Sequence, residues 1–178
     1  TGDNIDEKSH VPPVLTKTWF HTGAYFDGQN ISRCFEKEYY RESGLSDAQF
    51  QVQLLPDTIL PDDLSVDEVQ EACRALKGSI LRQEIYAQDN SPESEHPYSV
   101  SERSYVLKRL QPHSTNHHAV FFTHACETID YHYERKPENP RISHTLTLEV
   151  DDYGNVLRSV SVGYGRRKPD PKLAACDQ

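Results

Sequence analysis

Methionine is absent from all 178 residues, tryptophan occurs once and cysteine four times. The lack of any methionine, an initiator included, leads us to expect a piece cut from a longer polypeptide. No run approaches the roughly 20 consecutive apolar residues needed to span a bilayer, which excludes a transmembrane helix. The opening Thr1-Gly-Asp-Asn-Ile-Asp-Glu-Lys8 reads as the opposite of a signal peptide. Basic residues are outnumbered by acidic ones, 19 to 28, for a net charge of -9. A protein that tracks phosphates needs a basic stripe, so nucleic-acid binding is excluded. The one basic cluster, Arg166-Arg167-Lys168, reads as a solvated chain exit. Cys34, Cys73, Cys126 and Cys176 lie far apart with no CxxC pair, which excludes zinc-finger spacing. Buried thiols are the expectation, with a disulfide left open. Apolar residues make up only 35% of the chain, a thin core for a domain of this length and the composition expected of a part of a larger assembly.

What the chain does have is alternation. Leu146, Leu148 and Val150 alternate with Thr145, Thr147 and Glu149; after a turn holding Asp151, Asp152, Gly154 and Asn155, Val160, Val162 and Tyr164 alternate again. That pattern predicts a half-buried antiparallel hairpin. Further strands are predicted over 79–88, 98–111, 118–134, 141–150 and 156–166, separated by breakers at 89–97, 112–117, 136–140 and the Asp-Asp-Tyr-Gly-Asn turn. Long strands of this kind twist and curve, so a wide bent sheet is expected over 79–167 rather than a small closed barrel.

Before the sheet, residues 62–78 predict a helix. Ser65 and Glu68 have the spacing of a capping box, and Gly78 stands where a left-handed residue ends the helix. Val66, Val69, Cys73 and Leu76 fall on one face, with Ile80 and Ile85 expected beneath the helix, while Glu71 and Arg74 read as an exposed pair. Residues 1–61 carry irregularly placed rings, among them Trp19, Phe20, Tyr25, Phe26, Phe35, Tyr39, Tyr40 and Phe50. They read as an extended arm anchored at intervals by its aromatics, with Trp19 and Phe20 as anchors. Residues 168–178 read as a tail. The fold expected is therefore mainly β, a curved antiparallel meander with one capped α-helix and an extended N-terminal arm.

Chemistry is sparse. His124, Cys126, Asp130 and His132 share a parity and would line one face of a strand. At about 3.3 Å per residue, His124 and His132 stand roughly 26 Å apart, too far to share a metal. A metal-dependent hydrolase built on His124, Cys126 and Asp130 is one alternative reading. A carbohydrate- or receptor-binding β module is another, from the aromatics. No orienting Asn or Asp motif and no oxyanion loop accompanies Cys126. His117-His118 read as solvated at a strand entrance. Tyr131-His-Tyr-Glu-Arg135 reads as cross-strand packing rather than a base-stacking platform, since basic surroundings are missing.

Five blocks resemble one family: Val11-Pro-Pro-Val-Leu-Thr-Lys-Thr-Trp-Phe-His-Thr-Gly23, Leu54-Leu-Pro-Asp-Thr-Ile-Leu-Pro61, Glu71-Ala-Cys-Arg-Ala-Leu-Lys-Gly-Ser-Ile-Leu-Arg-Gln-Glu-Ile-Tyr86, His118-Ala-Val-Phe-Phe-Thr-His124, and Tyr131-His-Tyr-Glu-Arg135 with Pro140-Arg-Ile-Ser-His144. They are similar to the middle and C-terminal segment of the B component of bacterial insecticidal Tc toxin complexes, the TcdB type. The resemblance implies a neighbourhood of SpvB-like, propeller and RHS- or YD-repeat regions, and Asp152-Tyr-Gly-Asn155 is similar to the turn of such repeats. It implies a non-enzymatic strip of a hollow β-shell that the B component forms with the C component, holding a toxic enzyme until a pore-forming A component delivers it. Expected partners are the rest of the B component, the C component and, indirectly, the A component, in a secreted complex made in the bacterial cytoplasm. No cofactor, metal, nucleic acid or direct membrane insertion is expected. The residues expected to matter are architectural: Trp19, Phe20, Ser65, Glu68, Leu76, Gly78, Phe121, Phe122, Tyr131, Tyr133 and Gly154.

Overall fold

A computed structural model describes residues 12–25 and 30–169. Phe26, Cys176 and most of the expected tail lie outside the described residues. Six strands form one antiparallel sheet in sequence order: β1 (Val14–Phe20), β2 (Ile80–Ala87), β3 (Ser99–Gln111), β4 (Val120–His132), β5 (Arg141–Val150) and β6 (Val156–Tyr164). Two helices, α1 (Asp47–Gln53) and α2 (Val66–Ala75), lie between β1 and β2 in the chain. The sheet is mainly β and open, a meander with β1 and β6 at its edges.

Residues 12–25 and 30–61 hold a strand and a helix where an extended arm is expected. Val14 to Phe20 form a strand that pairs with β2 from Val14↔Ala87 onward. Between them and the sheet's next strand the chain makes α1, a second helix that the sequence reading lacks. Its cap is a full box: the Ser46 hydroxyl accepts from the Gln49 N–H, and the Gln49 side chain accepts from the Ser46 N–H. Seven residues with a single buried side chain, Phe50, give too little periodicity to stand out. In α2 the Ser65 hydroxyl accepts from the Glu68 N–H and Glu68 accepts from the Ser65 N–H. The buried stripe is Glu68, Ala72, Cys73 and Leu76, one position round from the expected face, and Val66 is left exposed. Gly78 has φ +85°, and its N–H bonds the His21 carbonyl, tying the helix exit to the end of β1.

Sheet bulges explain which residues face inward. Trp19 pairs with Arg82 and Phe20 with Ile80, so Leu81 is skipped; Ser104 pairs with Glu127 and Tyr105 with Ala125, so Cys126 is skipped. At both places two consecutive residues are buried, Leu81 with Arg82 and Ser104 with Tyr105. There the cover over the sheet changes. Val100, Ile129, Tyr131 and Tyr133 pack with Leu55 and Tyr40, whereas Tyr105, Leu107, Phe121 and Ala125 pack with Ala72 and Leu76 of α2. Ile85 lies opposite this core rather than under the helix, because Arg82, Glu84 and Tyr86 take the covered side. β2 pairs with only four residues of β3, ending at Arg82↔Glu102; further along, Ile59 takes its place, donating to the Tyr105 carbonyl and accepting from Leu107 N–H.

Candidate interaction surfaces

Three charged residues at the centre of the covered face hold the N-terminal layer. The Arg82 guanidinium contacts Glu84 at 2.8 Å and Glu102 at 2.7 Å, and lies 4.8 Å from the centre of the Tyr39 ring. Glu84 accepts from the Tyr40 N–H and the Tyr86 hydroxyl, and Glu102 accepts from the Leu55 N–H. The sheet thus grips residues 40 and 55 through buried carboxylates. Burial raises the Glu102 carboxyl's pKa above the ordinary value, opposed by Arg82. Alternation put these groups on one face, but a sequence shows Arg-x-Glu-x-Tyr equally well as a wet surface. A second grip sits at α2. Glu68 accepts from the N–H of Ser65 and His113 and lies 3.3 Å from Arg109, which holds its pKa down at about 2, chiefly through the backbone donors. Glu71, read as exposed, instead accepts from the Ala119 N–H and meets His118.

The architectural residues separate into several environments. Trp19 packs edge-on against Tyr39 at 5.1 Å and donates to Glu38, while Phe20 is exposed. Leu76 is fully buried; Tyr131 and Tyr133 stack at 5.7 Å within the core. Phe121 packs toward α2, and Phe122 takes the other face. There it meets the β5–β6 turn, where a Cβ on Gly154 would lie 2.9 Å from the Phe122 ring. That turn is closed by Asp151, whose carboxylate accepts from the N–H of Tyr153 and Asn155, and Asp152 reaches Lys108 of β3 at 2.6 Å.

The other end of the same hairpin is also fastened. Arg167 places two nitrogens on Glu42, at 2.7 and 2.9 Å, and donates to the Pro137 carbonyl. The Tyr133 hydroxyl donates to Glu42 at 2.8 Å. Lys168 N–H donates to the Asn139 side chain, and Arg166 donates to the Asn139 carbonyl. The basic cluster is therefore a tether and not a solvated exit. Between the tether and the tip, β6 is exposed along its length except at the half-buried Val162. Among the described residues β1 pairs only with β2 and β6 only with β5.

A groove of about 390 Å³ runs where the N-terminal layer stops, lined by Leu54, Leu55, Ile129, Ile142, His144 and Tyr164. His144 bridges three strands across it, 3.1 Å from Glu127 and 3.1 Å from the Tyr164 hydroxyl. A wider cleft of about 720 Å³ opens beside β1, with the Lys17 ammonium 4.9 Å above the Tyr86 ring. Of its three rings, Tyr39 and Tyr86 are buried at 8% and 7% exposure and Tyr40 is half-buried.

His124, Cys126 and Asp130 are not brought together. His124 pairs with Val106, Cys126 falls in the bulge, and Asp130 pairs with Ser101 and Ser143. Six positions along one strand separate His124 from Asp130 by about 20 Å. Burial pushes the Cys126 thiol pKa up, away from the reactive thiolate. Among the described residues no group of three or more His, Cys, Asp or Glu is arranged to hold a metal ion, and no helix is long and apolar enough to cross a membrane.

Comparison with known proteins identifies the architecture. No match is found among curated proteins. The family described as the insecticide toxin TcdB middle/C-terminal region matches residues 71–177. Among solved structures, the TcdB2–TccC3 crystal structure matches with 28% identity and a TM-score of 0.74, over 97% of this chain and 8% of that one. A TcdB2–TccC3 crystal structure without the hypervariable C-terminal region matches with 32% identity and a TM-score of 0.69, over 92% and 8%. The Photorhabdus luminescens Tc holotoxin pore matches with 30% identity and a TM-score of 0.70, over 92% and 7%. The chain thus spans about 8% of the length of the structures it matches. With a match over residues 71–177 and relatives of 30% and 32% identity over 92% of its length, the chain belongs to the insecticide toxin TcdB middle/C-terminal region family.

Proposed function

We propose that this chain is a non-enzymatic wall segment of a toxin-complex B component, one strip of the β-shell that with the C component encloses a toxic enzyme and helps deliver it through a pore. One observation carries the reading: among the described residues the sheet is open at both edges, and the apolar side of β5 and β6 runs on past the layer that covers β2 to β4. A strand edge presents unpaired N–H and C=O groups, and natural proteins conceal such edges or pair them. Supporting it, relatives of the same fold are found with TccC3 and within a Tc holotoxin pore. Partners are then the remaining B-component strands, the C component and, through the propeller, the A component, in a complex that acts outside the bacterium. The residues that serve this role shape the wall and carry out no reaction: the Arg82–Glu84–Glu102 centre, the two hairpin fastenings and the ring stack of Tyr131 and Tyr133.

Amide hydrogen exchange tests it. In the full-length B component bound to its C component, the amides of β1 and β6 are expected to exchange at least tenfold more slowly than in the isolated chain kept dilute enough to be monomeric. Equal rates in the two states would remove the wall reading, because they would mean that nothing pairs with these edges.

A further inference from the structure

Where the β4–β5 loop meets the chain leaving β6, a pocket of about 260 Å³ gathers positive charge. Lys136, Arg166 and Lys168 line it together with His132, and none of the three cations pairs with a carboxylate among the described residues. Of the two acidic groups on its wall, Glu134 is taken by Arg141, so Glu138 alone faces three cations. A chain of net charge -9 is locally positive here. The wall is also held in shape. Asn139 spends both halves of its amide on Lys168, its oxygen accepting from the N–H at 3.1 Å and its nitrogen donating to the carbonyl at 3.3 Å. Arg166 donates to the Asn139 carbonyl, and the Asn139 N–H closes a turn on the Lys136 carbonyl. Just before Lys136, Glu134 and Arg135 are both left-handed, at φ +50° and +63°, a backbone that residues with side chains adopt at a cost. The N–H groups of both donate to the β2–β3 loop, at the Tyr98 and Pro97 carbonyls, and the Arg135 fork grips Asp89. Strain of this kind persists where its surroundings impose it, and it gathers at binding sites.

We propose that this pocket receives the carboxylate of one Asp or Glu side chain from a neighbouring segment of the assembled toxin complex. The proposal rests on the wall reading above, which supplies the neighbour, and names an anchor point for it. Size decides between a side chain and a free ligand: about 260 Å³ falls below the roughly 300–1,000 Å³ of small-molecule sites. Charge decides the chemistry, because two ammonium groups and a guanidinium fork together favour an oxyanion. A nucleic-acid backbone needs a run of cations and would meet the acidic remainder of the chain. Place fits as well, since Arg166 and Lys168 follow β6, the edge beside which the wall reading sets the next segment. An incoming carboxylate then meets Lys136, Arg166 and Lys168 on a wall already fixed by Asn139, so little ordering is left for the contact to cost.

Carbodiimide cross-linking tests it, because the reagent joins an amine to a carboxylate only where the two touch. The full-length B component bound to its C component is treated, and the joined peptides are read by mass spectrometry. The Lys108–Asp152 pair, 2.6 Å apart, serves as the internal standard. Lys136 or Lys168 should be joined to an Asp or Glu that lies outside this chain. Arg166→Gln removes a cation that the reagent cannot join, and it should lower that yield about fivefold, the effect of one charge at a partly exposed contact. Arg166→Lys should restore it, and the standard should respond to neither. Should Arg166→Gln fail to assemble, Lys136→Gln replaces it, read on the Lys168 cross-link. Three results overturn the proposal: no such cross-link beside a normal standard, cross-links to Glu134 or Glu138 alone, or a yield indifferent to the substitution. Slower amide exchange over residues 133–139 with inorganic phosphate at fixed ionic strength, without the cross-link, also overturns it, since the pocket would then hold a free anion. The wall reading fails on a separate measurement, the exchange of β1 and β6, so a missing cross-link in a complex with both edges protected removes the pocket and leaves the wall.

Discussion

His21 is buried at 4% exposure between the end of β1, the exit of α2 and the edge of the Tyr105 ring, 5.6 Å away, with no hydrogen-bond partner for its Nε2 among the described residues. Burial disfavours the imidazolium and lowers its pKa to about 4, only partly offset by the Asp57 carboxylate. The sign follows from linkage. Above pH 6.5 the ring is neutral in both states, but below it the unfolded chain takes up a proton that the folded one refuses, so stability is lost as pH falls toward 4. At pH 4 this loss is about 3 kcal/mol. Denaturant unfolding from pH 7 to 4 should therefore show a larger fall for the native chain than for His21→Phe, which keeps only the fall due to carboxylates such as Glu68; parallel curves would mean that the ring is hydrated. Gly154 is constrained twice, by φ +89° and by the Phe122 ring. Gly154→Ala should cost about 1–2 kcal/mol from the left-handed backbone and the contact together. In a Phe122→Ala background only the backbone part should remain, so a double-mutant cycle by thermal unfolding separates the two, and a zero coupling energy would contradict the contact.

Elements differ in how openly the chain announces them. Strand β5 (Arg141–Val150) coincides with its sequence reading, and β2, β3, β4 and β6 end within two residues of theirs, since breakers such as Pro97, Pro112 and Pro140 stand at their limits. β1 was hidden because Val14-Leu-Thr-Lys-Thr-Trp-Phe20 is an edge strand exposed on most positions, and α1 because seven residues make barely two turns. The bulges at Leu81 and Cys126 were illegible: skipping a residue is a decision of strand pairing, and strict alternation along β4 hides it. The buried centre of Arg82, Glu84 and Glu102 was illegible for the same reason, since burial of a charge depends on what the N-terminal layer supplies opposite it. Likewise the Glu42–Arg167 contact joins residues 125 positions apart, which only the fold brings together. The two capping boxes make a comparison possible. Ser46→Ala and Ser65→Ala each remove one hydroxyl acceptor and should each cost about 1 kcal/mol. Glu68→Ala should cost more than either, because its carboxylate also serves His113 and Arg109. Chemical denaturation of the three variants gives the order, and Glu68→Ala no worse than Ser65→Ala would show that loop 112–119 does not depend on it.

At the scale of the whole molecule the sheet has, among the described residues, no strand beyond β1 or β6, and the two edges are protected unequally. On β1 the exposed Lys17 sits mid-strand, a charge that discourages edge-to-edge pairing. On β6 the one charge, Arg158, is already tied to Glu149 at 3.2 Å. The rest of β6 offers Val156, Leu157, Val160 and Tyr164, each more than 40% exposed, along an edge with no partner among the described residues. An edge that is long, largely apolar and carries only one, already paired charge recruits another copy when its natural neighbour is missing. The isolated chain should therefore self-associate through β6, with an average mass that rises with concentration in sedimentation experiments. Val160→Lys places a charge at the middle of that edge, at a site 41% exposed, where a surface substitution changes stability by roughly 0.5 kcal/mol or less. It should return the chain to a monomer at concentrations where the native sequence associates, with the thermal midpoint nearly unchanged. The same charge introduced at Val14 on β1 should do much less, because Lys17 already guards that side. An isolated native chain that stays monomeric at every concentration, with β6 amides as protected as those of β3, would show an autonomous domain whose edge needs no neighbour.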